Sequence, residues 1–199
     1  GATAADLVSR LFAVDLQGNG VLFDIAMHRS GRLLIVELEP GDGGGELQYP
    51  GGLRPLMQRL GRHGDVNDLC AEAARQMKGL LGFDRVMVYR FRHDGSGEVI
   101  AEAREQQLEP FLNLRYPHTD IPAQARALYL RNLLRIIADV NAAPVPIEPE
   151  HALGGGPVDL SLSTLRAVSP IHIEYLKNMG VSASLSISIV VKGKLWGLF

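Results

Sequence analysis

The chain has 199 residues, of which 46% are hydrophobic and 21% are charged, and its formal net charge is −2. The length allows one full domain and part of another, and the near-neutral charge gives no electrostatic footprint for nucleic acid or an acidic membrane surface. No apolar run approaches the roughly 20 residues of a membrane-spanning helix, no signal peptide opens the chain, and its single cysteine, Cys70, cannot form an internal disulfide. We expect a cytoplasmic protein and, because the sequence stops at Phe199 inside a strand-like run, part of a longer chain.

The first third of the chain predicts a hairpin followed by a linker. Residues 20–28 and 32–38 are apolar runs joined by a short turn around Ser30-Gly31. The glycine-rich residues 41–52 are typical of a linker. They lack the GxGxxG spacing of a phosphate-binding loop, and no strand runs directly into a helix there.

Beyond the linker, hydrophobic periodicity and turn residues predict helices alternating with hairpins. In chain order these are helices at 53–62 and 65–81, strands at 84–92 and 97–104 around the turn HDGSG, a helix through 123–132, an irregular stretch at 139–164, and a hairpin folded at Lys192-Gly193-Lys194. Irregular stretches of that length carry function or disorder in most proteins.

The strand at 181–191 alternates between apolar residues and serines. One face carries Ala183, Leu185, Ile187 and Ile189, and the other carries Ser182, Ser184, Ser186 and Ser188. The serine face could lie in water, or it could line a polar pocket. The pattern alone leaves both interpretations open.

Two segments are too rich in special residues to be ordinary core. In RYPHTDIPAQARALY (115–129), Pro117 and Pro122 bracket Asp120, so we expect residues 119–121 to be extended and rigid. In LRAVSPIHIEYLKNMGV (165–181), Pro170 suits the first turn of a helix with Ser169 as its N-cap. His172 then falls in that first turn, and Tyr175 lies three residues further on, on a neighbouring face.

These segments resemble the bacteriophytochromes, the bilin-binding red-light receptors of bacteria. The family has a PASDIP-like loop followed by ARxLY, where this chain has PHTDIP and ARALY; the second segment matches LRxVSPxHxxYLxNMGV almost throughout. DRVMVYRF (84–91), SGEVIAEAR (96–104) and SISIVVKGKLWGLF (186–199) extend the likeness over about residues 65–199.

The resemblance implies an α+β fold, a GAF domain with an antiparallel sheet flanked by helices. Residues 1–40 would be the end of a PAS domain, 41–62 a linker and connecting helix, and 63–199 a GAF bilin-binding domain that is incomplete at its C-terminus. The irregular stretch would be the loop through which this family threads its N-terminal segment, which makes a knotted PAS–GAF junction.

The resemblance also implies a ligand, biliverdin, with two carboxylates and four nitrogen-bearing rings. Arg135 and Arg166 match propionate-binding arginines, a role that suits the guanidinium fork. The hydroxyl partners of the propionates would be Tyr129, Ser169, Ser184 and Ser186. A lone arginine is more often a solvated surface charge, but two at matched positions favour a pocket.

The ring-contacting residues follow from the same likeness. Asp120, in the loop with Ile121, would accept ring N–H protons through its backbone carbonyl, which leaves its carboxylate for a tongue from a later domain. His172 would sit over the ring nitrogens in a water-linked proton network, since imidazole donates and accepts near neutral pH. The aromatic residues around the rotating ring would be Tyr89, Tyr116 and Tyr175, although ordinary core packing also explains tyrosines.

The chain departs from the family pattern in its loop and in its cysteine. His118 and Thr119 stand where Ala and Ser are commoner, which would retune the site. Plant relatives attach the pigment through a cysteine just before the histidine, and this chain has Ile171 there. We expect the anchor upstream of Gly1 and Cys70 to be an inert packing residue on a helix.

Three other classes of function are the alternatives: an enzyme, a GAF module for another small molecule, and a dimerisation domain. For acyl transfer by His172 and Ser169, the sequence offers no G-x-S-x-G elbow. For a phosphoacceptor role of His172, it offers no nucleotide-binding region. The six histidines show no metal-ligand spacing. A GAF module for a cyclic nucleotide leaves PHTDIP and SPIHIEYL unexplained. A dimerisation domain built on helices 53–62 and 66–81 is compatible with pigment binding.

The prediction is therefore a photoreceptor module without catalytic residues of its own. Isomerisation of the pigment would bias a two-state element elsewhere. By analogy the parent receptor would be a homodimeric two-component histidine kinase that reaches a response regulator through an output domain absent here.

Overall fold

The computed structural model describes residues 8–41, 53–151 and 155–199, so most of the predicted linker at 41–52 lies outside the described residues. Its contacts divide the chain into two compact units, residues 1–45 with 134–186 (unit 1) and residues 46–133 with 187–199 (unit 2). The elements are β1 Ser9–Asp15, β2 Leu22–Ser30, β3 Leu33–Gly41, α1 Leu53–Leu60, α2 Val66–Leu81, β4 Arg85–Phe91, β5 Gly97–Arg104, β6 Arg115–Tyr116, α3 Ala123–Arg131, β7 Leu134–Ile137, α4 Pro170–Asn178, β8 Ser184–Val191 and β9 Lys194–Leu198.

The three-stranded sheet of unit 1 has the order β1-β2-β3 and is antiparallel throughout. Ser30 pairs with Leu33 across a two-residue turn, and Gly31 adopts a φ of 58°, a conformation that glycine reaches without a side-chain clash. The predicted hairpin is confirmed. Strand β1 escaped prediction because its side chains are mostly exposed and show no alternation of burial.

The second part of unit 1 packs α4 against β7 and the segment that follows β7. Its core is Ile137, Val140 and Leu176, with Val168, Ile173 and Val181 against it. The backbone N–H of Val140 donates to the carbonyl of Ser182 at 2.9 Å. In the described part of residues 139–164 the chain has no helix or strand beyond an isolated bridge between His151 and Pro157, as the composition predicted.

Helix α2 covers the sheet of unit 2. Asp65 starts the helix by accepting from the N–H groups of Asn67 and Asp68, and Gly82 ends it with a φ of 71°. The helix buries Cys70, Ala73 and Ala74, and its apolar face meets Val88 of β4 and Ala101 of β5 in one cluster. The predicted helix at 65–81 and the packing role of Cys70 are both confirmed.

The larger sheet has six strands in the order β6-β5-β4-β9-β8-β7. Its two predicted hairpins are present: β4 pairs with β5 around the turn that contains Gly95, and β8 pairs with β9 around Lys192 and Gly193. Antiparallel sheets flanked by helices confirm the predicted α+β class. Among the described residues, no helix combines the length and hydrophobicity needed to cross a bilayer.

Candidate functional site

Arg135 is the buried cation of unit 1. It lies on β7, and only 9% of the residue is exposed. Its Nη1 donates to the carbonyl of Thr164 at 3.3 Å, and its Nη2 donates to the carbonyl of Arg166 at 3.0 Å. A buried charge requires such partners. Arg135 therefore holds the backbone from which the second predicted arginine projects.

Arg166 offers an unused hydrogen-bond donor. The residue is half-buried, and its Nε is buried without a hydrogen-bond acceptor in the part of the chain that the structure describes. A buried N–H of a charged group without an acceptor carries a desolvation penalty of about 1–3 kcal/mol or more. A ligand carboxylate would remove this penalty, so the donor fits an anionic ligand.

Helix α4 carries His172, which lies within range of the positive charge of Arg135. Pro170 occupies the first turn, and Ser169 holds the N-cap position, as predicted. His172 is half-buried, and burial lowers its pKa below the ordinary value. The positive charge of Arg135 lowers that pKa further. The imidazole is therefore neutral at pH 7, with one nitrogen that donates and one that accepts.

Two other predicted residues of α4 lie nearer the surface. Ser169 is exposed, and its hydroxyl makes no capping hydrogen bond, so the predicted side-chain cap is wrong although the position is right. The fixed φ of Pro170 at the first helical position already favours the helix, so the turn forms without that bond. Tyr175 is 39% exposed.

The three serines of β8 are half-buried, whereas Ser182, which the sequence placed on the same face, lies just before the strand and is exposed. Ser184 and Ser186, in unit 1, are both half-buried. Ser188, in unit 2, is also half-buried and donates its hydroxyl to the carbonyl of Tyr129 at 2.7 Å. The apolar face of the strand is no more buried than the serine face over 184–189. This burial favours a covered polar face over a solvated one.

In unit 2, Tyr89 and Tyr116 form an aromatic group with Phe91. The ring centroids of Tyr89 and Tyr116 are 6.1 Å apart, and those of Tyr89 and Phe91 are 5.2 Å apart in an edge-to-face arrangement. Burial raises the pKa of Tyr116 above its usual value. The Tyr89 ring lies directly over Gly97, where a Cβ would come within 1.9 Å of it. The role of Gly97 escaped the sequence analysis, although a glycine that opens a strand is a signal of close approach.

The loop around Asp120 differs from the prediction. Residues 118–120 form a turn rather than an extended segment, closed by a hydrogen bond of 3.2 Å from the N–H of Asp120 to the carbonyl of Pro117. Apart from its own φ, Pro122 restrains only the residue before it, Ile121, and the fixed φ of Pro117 does not prevent a turn from starting there. Asp120 is exposed and Ile121 is half-buried.

Arg126, which the sequence analysis passed over, fastens α3 to the β4–β5 turn. Its Nη1 donates to the carbonyl of Gly95 at 2.8 Å, and its guanidinium lies 5.9 Å from the centre of the Phe91 ring. A Cβ on Gly95 would lie 3.3 Å from that of His118. His118, in the Asp120 turn, and Arg126, which follows it, therefore both lie close to Gly95 of the same hairpin.

The structure thus divides the predicted residues between the two units. In unit 1, Arg135 binds the backbone of Arg166 and its charge acts on His172, and in unit 2 the rings of Tyr89 and Tyr116 lie close together. The charge of Asp120 also acts on the hydroxyl of Tyr116. The hydroxyl of Ser169, also in unit 1, makes no capping hydrogen bond to α4.

Residues 65–199 match the GAF domain family, which is more than half of the chain, and the chain belongs to that family. Within it, the chain is 49% identical over 174 residues to a bacteriophytochrome of Xanthomonas campestris pv. campestris, which covers 87% of this chain and 27% of that protein. It is 44% identical over 207 residues to a bacteriophytochrome of Pseudomonas aeruginosa, which covers 96% of this chain and 28% of that protein. The chain therefore spans little more than a quarter of the length of these curated relatives.

Solved structures give the same result for the fold. The chromophore-binding domain of a bacteriophytochrome from R. palustris superimposes with a TM-score of 0.82 and 44% identity, over 88% of this chain and 58% of that one. The chromophore-binding domain of Stigmatella aurantiaca phytochrome P1 gives a TM-score of 0.80 and 46% identity, over 89% of this chain and 59% of that one. The predicted resemblance to bacteriophytochromes is confirmed.

Proposed function

We propose that this chain binds a bilin, biliverdin, and forms the light-sensing part of a longer red/far-red receptor. The observation that carries this proposal is the buried Nε of Arg166, which lacks an acceptor among the described residues. A bilin is a flat tetrapyrrole with two carboxylates, and its double bonds absorb red light and allow isomerisation about a methine bridge. The similarity to two chromophore-binding domains supports this choice over a cyclic nucleotide.

In unit 1, Arg166 would bind one carboxylate of the pigment. Arg135 would add a second positive charge, and Ser169, Ser184 and Ser186 would add hydroxyl groups. A guanidinium suits this role because it stays charged at any physiological pH and offers donors in a planar fork. His172, neutral at pH 7, would hold a proton on one ring nitrogen and accept one at the other.

In unit 2, Tyr89 and Tyr116 would contact the ring system, and Tyr129 would contribute its hydroxyl. Asp120 would accept N–H protons through its carbonyl in the loop that also contains Ile121. In unit 1, Tyr175 would be a further aromatic contact of the pigment. Such rings combine a large apolar contact area with a polar tip, which suits a pigment with alternating apolar and polar edges.

We further propose the wider organisation that the sequence predicted. Residues 1–40 would be the C-terminal part of a PAS domain, 41–62 a linker and connecting helix, and 63–199 the GAF domain. The junction between the PAS and GAF domains would be knotted. The protein would be cytoplasmic and homodimeric, without contact to nucleic acid or membrane. Light would regulate a histidine kinase output that acts on a response regulator.

The test is to mix the purified chain with biliverdin and record absorption before and after red light. We expect a structured far-red band that changes on illumination, and its absence would overturn the proposal. Arg166→Gln removes the unused donor and should weaken biliverdin binding by about tenfold or more, the value of one charge-assisted hydrogen bond. Arg131→Gln, on the exposed end of α3, is the matched control. Saturable binding of cyclic nucleotides instead of biliverdin would favour the alternative.

A further inference from the structure

The carboxylate of Glu37 binds two consecutive backbone amides. Glu37 lies on β3, and its Oε2 accepts from the N–H of Thr164 at 3.0 Å while its Oε1 accepts from the N–H of Leu165 at 2.7 Å. Hydrogen bonds to an ionised carboxylate are among the stronger ones in proteins. These bonds connect Glu37 to residues that lie 127 and 128 positions later in the sequence, all within unit 1.

The pleat of the sheet explains why Glu37 points at this segment. Side chains alternate along β3, so Glu37 shares a face with Ile35, while Leu34, Val36 and Leu38 lie on the other face and are exposed. Glu37 pairs with Ala26 of β2, and Ala26 pairs with Arg10 of β1. These cross-strand partners present their side chains on one face.

Thr164 is held at each of its polar groups. Its N–H donates to Glu37, its Oγ1 accepts from Nη2 of Arg10 at 3.0 Å, and its carbonyl accepts from Arg135 at 3.3 Å. The residue is 6% exposed, so water does not replace these partners readily. Three different strands, β1, β3 and β7, thus fix a single residue.

Arg166 projects from the end of this fixed segment. Leu165 is fastened by Glu37 through its N–H, and Arg166 is fastened by Arg135 through its carbonyl at 3.0 Å. The two backbone anchors flank the Cα atom that carries the unused guanidinium donor. A side chain of this length binds a carboxylate well only when its starting point is fixed, because each freed rotation costs entropy.

We propose that Glu37 is a positioning residue for Arg166 and that it couples the three-stranded sheet of unit 1 to recognition of the ligand's carboxylate. This inference rests on the proposed function. Glu37 does not touch the ligand itself. It acts by holding the backbone of residues 164 and 165, so its effect on affinity depends on the presence of the Arg166 guanidinium.

The test is a double-mutant cycle for biliverdin binding by the 199-residue chain, with Glu37→Gln and Arg166→Gln singly and together. Glutamine keeps the size of the side chain but replaces one acceptor with a donor, which opposes the N–H it faces. We expect Glu37→Gln to weaken biliverdin binding by about tenfold in the unaltered chain and by less than about twofold beside Arg166→Gln. Glu39→Gln, the same change two residues along β3 at an exposed position, should leave binding as it is.

A second measurement needs no pigment. Hydrogen exchange of the Thr164 and Leu165 amides should become about tenfold faster in Glu37→Gln and stay unchanged in Arg166→Gln and Glu39→Gln. If Glu37→Gln does not fold, Glu37→Asp, which draws the carboxylate back by one methylene, must show the same dependence on Arg166. Equal losses of affinity in both backgrounds, or unchanged exchange, would overturn this inference alone. Failure of the unaltered chain to bind biliverdin would overturn the proposed function.

Discussion

Replacing Gly97 with alanine would place a methyl group where the Tyr89 ring now lies. The new Cβ would be 1.9 Å from Cζ, 2.0 Å from Oη and 2.2 Å from Cε1 of that ring. Carbon atoms in contact prefer about 3.5–4.0 Å, so the ring must move by roughly 1.5–2 Å. Overpacking of this kind costs about 1–3 kcal/mol in the free energy of unfolding. Because the clashing atoms form the far end of a side chain, we expect a displaced Tyr89 rather than a broken strand.

The measurement is denaturant unfolding followed by the fluorescence of Trp196, the single tryptophan, which packs against the core cluster of unit 2. In a Tyr89→Ala background the methyl group has room, and the cost of Gly97→Ala should fall below about 0.5 kcal/mol. An equal cost in both backgrounds would refute the reasoning.

Gly197 supplies a matched contrast to Gly97. A Cβ there would lie 2.5 Å from the carbonyl oxygen of Tyr89, which is backbone and remains in Tyr89→Ala. The cost of Gly197→Ala should therefore persist in that background. Gly79, on α2, is exposed and has nothing within 4 Å of its added Cβ, so Gly79→Ala should stabilise the chain by about 0.5–1 kcal/mol.

Four other predictions concern His172, its neighbour Arg135, Cys70 and the two helix N-caps. The pKa of His172 in the folded chain lies below its unfolded value of about 6.5. As the pH falls from 7 to 5, the unfolded state therefore binds more protons than the folded state, and the free energy of unfolding decreases. His172→Gln should make thermal unfolding depend less on pH over this range. An NMR titration should show the pKa of His172 rising in Arg135→Met, and an unchanged pKa would contradict the role of that charge. Cys70 is buried, and burial raises the pKa of its thiol, so thiol reagents should modify it only when the chain unfolds. Cys70→Ala should keep biliverdin binding. Rapid labelling of the folded chain would contradict this prediction. Asp65→Ala should lower the free energy of unfolding in urea by about 1 kcal/mol, and Ser169→Ala by far less, because of the two only Asp65 makes capping hydrogen bonds. Equal losses for the two variants would contradict this prediction.

The elements predicted correctly are those specified by a few neighbouring residues. Turn residues such as Gly31 and Lys192-Gly193 specify tight hairpins because they adopt a positive φ. The capping carboxylate of Asp65 and the following apolar periodicity specify α2 in the same local way. β1, β6 and β7 escaped prediction because β1 is mostly exposed and β6 and β7 are very short, so none of them shows a clear alternation of apolar and polar residues.

The errors at the candidate site have the same origin. A proline restricts its own φ and the residue before it, which does not determine the conformation of Asp120 between two prolines. The hydrogen bond to the carbonyl of Pro117 settles that geometry. Glu37 was invisible for a related reason: a glutamate in an apolar strand signals a polar contact, but nothing in its neighbourhood identifies Thr164 and Leu165 as partners.

Arg135 has two roles, one indicated by the sequence motif and the other by the structure. The motif identifies a guanidinium suited to a carboxylate, whereas the structure shows two of its nitrogens donating to the carbonyls of Thr164 and Arg166. These roles are compatible because a guanidinium has five N–H donors on three nitrogens. Its charge also helps to keep His172 neutral. Because Arg135 orders the backbone of Arg166, the two like charges belong to one connected segment of unit 1, and under the proposed function an acidic ligand would stabilise them where a neutral one would not.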